Sequence, residues 1–188
     1  WILAGTTPIS SSDGTRVRGA CLVYDEAGRR VARYDKMHLF RFKNEKEHYD
    51  ETRTVEAGTQ PLAIASPFGR LALSVCYDVR FPELYRGLGQ FDAMFVPSAF
   101  TVPTGRAHWE ILLRARAVEN QAYVVAPAQG GLHPSGRRTY GHTMVVDPWG
   151  EVLARRPEGE GVVLAQIDTE HIRAVRASLP ALANRRLD

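Results

Sequence analysis

Cysteine is scarce: Cys21 and Cys76 are the only two in 188 residues. Two thiols build no disulfide framework, and these two form no C-x-x-C metal motif. A reduced, cytoplasmic setting is therefore the expectation. Long apolar runs are missing too; none approaches the ~20 residues that span a bilayer. WILAG at the start is too short, and lacks the basic leader, to read as a signal peptide. Nor is there an excess of charge of one sign, because 24 Lys and Arg face 21 Asp and Glu, a formal net charge of +3. No basic stripe with interleaved aromatics stands out, so neither nucleic acid nor a membrane is an expected partner. Repeats, low-complexity tracts and interdomain linkers are also missing. No G-x-G-x-x-G follows a strand, which argues against a nicotinamide-type nucleotide binder. What is there, 44% hydrophobic and 24% charged, is the composition of a globular chain long enough for one domain with a real core.

Short apolar runs alternate with turn signals. WILAG, ACLVYD and RRVARYD predict strands, the last two joined by the turn EAGR. FKNEKEHYDETRTVEAGTQ is long and polar and reads as a loop with one helical turn at most. PLAIAS and RLALSVC predict strands around the tight turn PFGR, and Pro82 opens a helix in FPELYRGLGQ. AMFVPS is a strand. AHWEILLRARAVENQ is the clearest helix, with Trp109, Leu112 and Leu113 at three-to-four spacing. AYVVAPA, HTMVVD, EVLAR and VVLAQID predict strands, DPWG a hairpin turn, and TEHIRAVRASL a last helix. Strands apolar on both faces, such as ALSV, MFV and YVVA, ask for a sheet covered by helices. The expected class is α/β, a layered sandwich with a mixed sheet.

Three groups of residues have chemistry to offer. Cys76 ends an apolar strand in SVCYDVRFPE, where the chain turns abruptly polar. It is either a buried structural thiol or a nucleophile presented at a strand end, where helical N–H groups favour negative charge on sulfur. Asp78, Arg80 and Glu83 follow it and have the spacing for an ion-pair network bracing such an elbow. Lys36 lies in YDKMHLF between a strand and apolar residues, where it either snorkels to solvent or has a charge sensitive to its neighbours. His38 in the same stretch is either a base for a thiol or a core histidine. A thiol attacking an amide needs an acid–base partner; Glu47, Glu51, Glu56, Glu83 and Glu110 all qualify by type, and composition does not choose among them. Cys21, inside a strand, reads as a small buried hydrophobe.

Taken together, YDKMHLF, YDETRTVEAG, SVCYDVRFPELYR, PSAFTVPTGRAHWEILLRARAVENQAYVVAPAQGG and YGHTMVVDPWGEVLA resemble the nitrilase superfamily of carbon–nitrogen hydrolases. Within it they are most similar to the Nit-type amidase branch. The resemblance covers nearly the whole chain. It implies a four-layer αββα sandwich of mixed sheets covered by helices, incomplete at the N-terminus. Residues 1–188 would form a single carbon–nitrogen hydrolase domain lacking its first strand–helix unit or units, and WILAG would match a later strand. The family's general-base glutamate lies in that earlier segment, and no other glutamate is assigned its role. Cys76 matches the family nucleophile, Lys36 the catalytic lysine and Glu51 the supporting glutamate.

The activity implied is attack of the Cys76 thiolate on a carboxamide, with the oxyanion held by Lys36 and the backbone N–H of Tyr77, and a thioester intermediate. The substrate would be a small carboxylate-bearing amide of the deaminated-glutathione or ω-amide type, read by arginines or lysines at the mouth. No metal or organic cofactor is expected. Phe100, Thr101 and Thr104 in AFTVPTG are expected in the substrate pocket, with Glu110 at its edge or in a structural role. A homodimer with the AHWEILLRARAVENQ helix near the interface is expected. Two rival readings stand beside this one: an inactive or incomplete fragment serving only as an oligomer component, and a Cys–His hydrolase using His38 or His142.

Overall fold

The computed structural model of the chain describes residues 1–45 and 48–187. Strand β1 (Ile2–Ser10) pairs antiparallel with β2 (Val17–Tyr24), which pairs antiparallel with β3 (Arg30–Asp35). The EAGR turn between β2 and β3 closes on Asp25, whose Oδ1 accepts the N–H groups of Ala27 and Arg29 at 3.0 and 2.9 Å. Alternation along β2 and β3 turns Cys21, Val23 and Tyr34 inward.

The long polar stretch that follows is not a plain loop. It folds into a small hairpin of β4 (Arg41–Lys43) and β5 (His48–Asp50), then one 3-10 turn over Glu51–Arg53. Phe42 faces Tyr49 across this hairpin, and the Phe40 ring lies 6.1 and 6.0 Å from theirs. Such cross-strand aromatic pairs favour a ladder where composition alone reads loop. Asp50 caps the 3-10 turn by accepting the Thr52 N–H.

Strands β6 (Leu62–Ser66) and β7 (Gly69–Leu73) form the hairpin expected around PFGR. Helix α1 (Pro82–Gly87), β8 (Ala93–Phe95), α2 (Val102–Asn120) and β9 (Tyr123–Ala126) follow. A two-stranded hairpin of β10 (Gly130–Leu132) and β11 (Arg138–Tyr140) precedes β12 (Thr143–Val146) and β13 (Val152–Arg156). The main sheet has six strands in the order β13-β12-β9-β8-β7-β6, with β7, β8 and β9 parallel and the other pairs antiparallel. It is the mixed sheet the apolar strands call for.

One face of this sheet is covered by helices. Trp109, Leu113 and Ala117 of α2, with Leu84 and Tyr85 of α1, pack on Ala72, Met94, Val124 and Met144. On the other face Leu73 and Val75 meet Cys21, Val23 and Tyr34, so the two sheets stack directly. Beside the smaller sheet, Ile172 of α3 (Thr169–Ser178) packs against Leu71, Ala93 and Tyr123. The layers thus run helix, sheet, sheet. Among the described residues no helix covers the outer face of β1–β3, where Ile2 and Val31 stand exposed.

VVLAQID departs from expectation. Residues 162–168 form no strand among the described residues, and Val162 and Leu164 are exposed. The alternation is that of a strand, but a strand exists only where a neighbour supplies its hydrogen bonds, and none here does.

Candidate active site

The end of β7 is tied to its parallel neighbour: Ser74 N–H donates to Phe95 O at 3.1 Å and Cys76 N–H to Pro97 O at 3.0 Å. Val75 is still extended, at φ −139°, but Cys76 sits at φ 51°. That is the left-handed region, costly for a residue with a Cβ and usually found where the surroundings impose it. A 3-10 helix over Cys76–Arg80 begins at once. Strand, left-handed residue and helical turn make an elbow, and the elbow turns Cys76 into a cavity of about 400 Å³.

Lys36 arrives from the other sheet. It directly follows β3 and is buried, with 4% of its surface exposed. Its N–H donates to Gly19 O at 2.9 Å and its O accepts the Gly58 N–H at 2.8 Å. A Cβ on Gly58 would come within 2.1 Å of Asp35 O, so only glycine lets this irregular segment approach the residues around Lys36. Lys36 Nζ bonds Glu51 Oε2, and the same oxygen accepts the Phe40 N–H at 2.7 Å. A buried ammonium is tolerated because a carboxylate neutralises it.

Cys76, Lys36, Glu51, Tyr77, Phe100, Thr101 and Thr104 all line this one cavity. Thr101 and Thr104 lie at the start of α2 and share a 2.8 Å hydroxyl–hydroxyl bond. Glu110 is not among the lining residues. It lies six positions beyond Thr104, roughly 120° away around the helix, and bonds Arg155 at 2.6 Å on the outer surface. Its pocket-edge reading is replaced by a surface ion pair. Glu47 lies outside the described residues. Glu56 pairs with Arg18 and bonds Ser12, and Glu83 is exposed.

Neither histidine of the Cys–His reading lines the cavity. His38 Nδ1 lies 2.7 Å from Asp78 Oδ1 and its ring stacks on Phe81, with centroids 3.7 Å apart. His142 stacks on Tyr140 and its Nδ1 is 2.9 Å from Tyr140 O. Both rings are held by these contacts, and neither has Cys76 among its partners.

The expected Asp78–Arg80–Glu83 network also takes another form. Asp78 is fully buried and pairs with neither partner. Its Oδ2 accepts Tyr34 O–H at 2.8 Å and Val75 N–H at 2.9 Å; its Oδ1 accepts His38 N–H at 2.9 Å. One carboxylate therefore joins β3, the segment after Lys36 and the cysteine elbow. Arg80 stacks on two aromatics of the cavity wall, its guanidinium carbon 5.7 Å from the Tyr77 centroid and 5.4 Å from that of Phe100.

Two features of the site were not singled out in the sequence. The Ala99 N–H bonds the Cys76 sulfur, and Arg137, near the start of β11, lines the cavity. Burial pushes the Cys76 thiol above its ordinary range; Lys36, the Ala99 N–H and Arg137 pull it back, while the Glu51 charge pushes it further up. The charges around the thiol therefore bias its ionisation in both directions.

A half-buried cysteine on a left-handed elbow shares one cavity with a lysine–carboxylate pair. The carbon–nitrogen hydrolase family profile matches residues 1–177. The chain belongs to the carbon–nitrogen hydrolase family. It is 45% identical over 191 residues to the deaminated glutathione amidase of Synechocystis, covering 98% of this chain and 70% of that one. The crystal structure of the C. elegans NitFhit protein superposes with a TM-score of 0.86 at 46% identity, over 93% of this chain and 43% of that one. A mutant of the Nesterenkonia amidase, with acrylamide added at its active-site cysteine, superposes with a TM-score of 0.73 at 28% identity. It is matched over 93% of this chain and 66% of its own.

Proposed function

We propose that the chain carries the acyl-transfer site of an amidase acting on a small carboxylate-bearing amide of the deaminated-glutathione or ω-amide type. The observation that carries this reading is that Cys76 and the Lys36–Glu51 pair line one and the same cavity. The Cys76 sulfur attacks the carboxamide carbon, and a C–S bond forms. The oxyanion is held by the Lys36 ammonium and by the N–H of Tyr77, the residue after the nucleophile. The C–N bond then breaks, ammonia leaves with the proton that the thiol gave up, and a thioester remains. Water cleaves the thioester to the acid and the free thiol. Glu51 orients Lys36, its Oε2 being engaged by Lys36 Nζ and the Phe40 N–H.

The names of the relatives support this substrate class, as does the positive character that Lys36 and Arg137 bring to the cavity. A free thiol nucleophile suits a reducing, cytoplasmic setting. A homo-oligomer, through the outward face of α2, fits the exposed Ile111 and Val118 beside exposed Trp149 and Leu153; light scattering after gel filtration tests it.

The activity is tested by incubating the protein with glutaramate and following ammonia release and intact mass. Cys76-dependent ammonia, with a mass increase matching the glutaryl thioester, supports the reading. A folded protein that gives neither with glutaramate or with deaminated glutathione overturns it.

A further inference from the structure

Among the described residues Arg137 is a cation without an ion-pair partner inside the proposed site. It lies at the end of the β10–β11 turn, where His133 N–H donates to Arg137 O at 2.9 Å and fixes the backbone. Its side chain is half-buried and lines the same cavity as Cys76 and Lys36. One Nη donates to Ala99 O at 2.9 Å, and the guanidinium carbon lies 5.0 Å from the Tyr49 centroid. Among the described residues no carboxylate pairs with it. Its Nε–H is buried and has no acceptor. An unmet buried donor on a cation is costly, so such a group persists best where a ligand satisfies it.

The rest of the cavity agrees. Lys36 and Glu51 neutralise each other, which leaves Arg137 as the net charge, at a point fixed by Ala99. Ala99 also offers its N–H to the Cys76 sulfur, so one residue of the β8–α2 connection spaces the cation from the nucleophile. A planar guanidinium matches a carboxylate through two parallel N–H···O bonds.

We infer that Arg137 is the specificity-determining residue of the site, binding through Nε–H and an Nη–H a carboxylate at the far end of the substrate from the scissile amide. This rests on the proposed amidase reading for its account of substrate choice, but the anion subsite itself is tested without turnover.

The probe is glutarate, a dicarboxylate with no amide to cleave, used to protect Cys76 from alkylation by iodoacetamide. The readout is the ratio of alkylation rates with and without glutarate, which cancels any change in the thiol itself. In the native chain glutarate slows alkylation saturably, at least fivefold, and dimethyl glutarate does not. Arg137→Gln reduces this protection to below 1.5-fold at the same concentration, and Arg137→Lys recovers part of it. Arg138→Gln, at the exposed neighbour that faces Glu158, protects as the native chain does. Equal protection in the native chain and Arg137→Gln, or none in the native chain, overturns the inference. In turnover, the preference for glutaramate over its methyl ester falls on the order of 50-fold in Arg137→Gln, mostly through KM. Protection that depends on Arg137, without Cys76-dependent ammonia release, would keep the anion subsite and overturn the amidase reading. Ammonia release with unchanged preference in Arg137→Gln would do the reverse.

Discussion

The two cysteines occupy neighbouring layers of one sandwich, and they differ in what surrounds them. Cys21 lies in the middle of β2, opposite Tyr34, with none of its surface exposed. Burial alone pushes its thiol up to about 11. Cys76 is subject to the same desolvation, yet its sulfur receives the Ala99 N–H and feels Lys36 and Arg137. Its backbone is left-handed, and it opens onto a cavity. Burial raises both thiols; opposing charge, a hydrogen bond and access distinguish them. On the proposed reading, the elbow and the cation brought from the other sheet make Cys76 a nucleophile, where the strand it ends would otherwise bury it.

The sharpest way to break this comparison is to remove each thiol in turn. Cys76→Ala is expected to lower amide hydrolysis on the order of 10⁵-fold or more, as deletion of a nucleophile does elsewhere. Cys21→Ala is expected to leave kcat/KM within about twofold, because nothing from it reaches the cavity. Ammonia release under saturating glutaramate measures both. Hydrolysis retained by Cys76→Ala, or lost in a folded Cys21→Ala, would reverse the assignment.

Asp78 is what holds the second region to the first, so its loss is the next largest effect. Asp78→Ala leaves the Tyr34 hydroxyl and the Val75 and His38 N–H groups without an acceptor in a closed interior. The expected loss is on the order of 3–5 kcal/mol in urea unfolding. Asp78→Asn keeps the shape and one acceptor oxygen, and is expected to cost about 2 kcal/mol. If the carboxylate positions the elbow, the folded Asn variant also loses kcat with little change in KM. An unchanged kcat would reduce Asp78 to a stabilising group.

Much of this site was legible in the sequence, and the parts that were not share a cause. Cys76, Lys36 and Glu51 stand in runs whose order resembles one family, and AFTVPTG placed Phe100, Thr101 and Thr104 at the cavity. The strands of both sheets follow from alternation and turn chemistry, as at Asp25 and Gly69. Glu110 was misread because a helix turns it away from a pocket that its near neighbours line. Asp78 was expected in an ion-pair network with Arg80 and Glu83, but its partners are a tyrosine on β3, the His38 ring and backbone N–H groups, which lie outside that run of charges. Arg137 and Gly58 act through contacts with residues 38 and 22 positions away. Residues 162–168 carry a strand's alternation with no partner to complete it, and pattern alone does not supply one.

A finer test separates the charges around Cys76. Glu51 opposes ionisation of the thiol and Lys36 favours it. Glu51→Gln removes a negative charge near the incipient thiolate, so the alkylation profile moves to lower pH. Lys36→Met removes a positive charge, and the profile moves to higher pH. The two shifts have opposite sign, although the two residues form one ion pair and lose it together in either variant. Shifts of the same sign would mean that breaking the pair, and the rearrangement that follows, outweighs the field each charge exerts on sulfur.

The smallest effect lies at the quiet end of the comparison. Cys21 Sγ would lie 3.3 Å from a Cβ built on Gly5, and its neighbours are Val23, Leu73 and Val75. Replacing it with alanine removes one sulfur from a closed apolar contact, at a cost of roughly 1 kcal/mol. Serine fits the volume but brings a hydroxyl into the same apolar surroundings, where a donor without a partner costs roughly 1–3 kcal/mol. Cys21→Ser is therefore expected to be the less stable of the two in urea, with both leaving the Cys76 alkylation profile in place. The reverse order would mean that the inside of β2 offers a polar partner, and that Cys21 is more than a small hydrophobe.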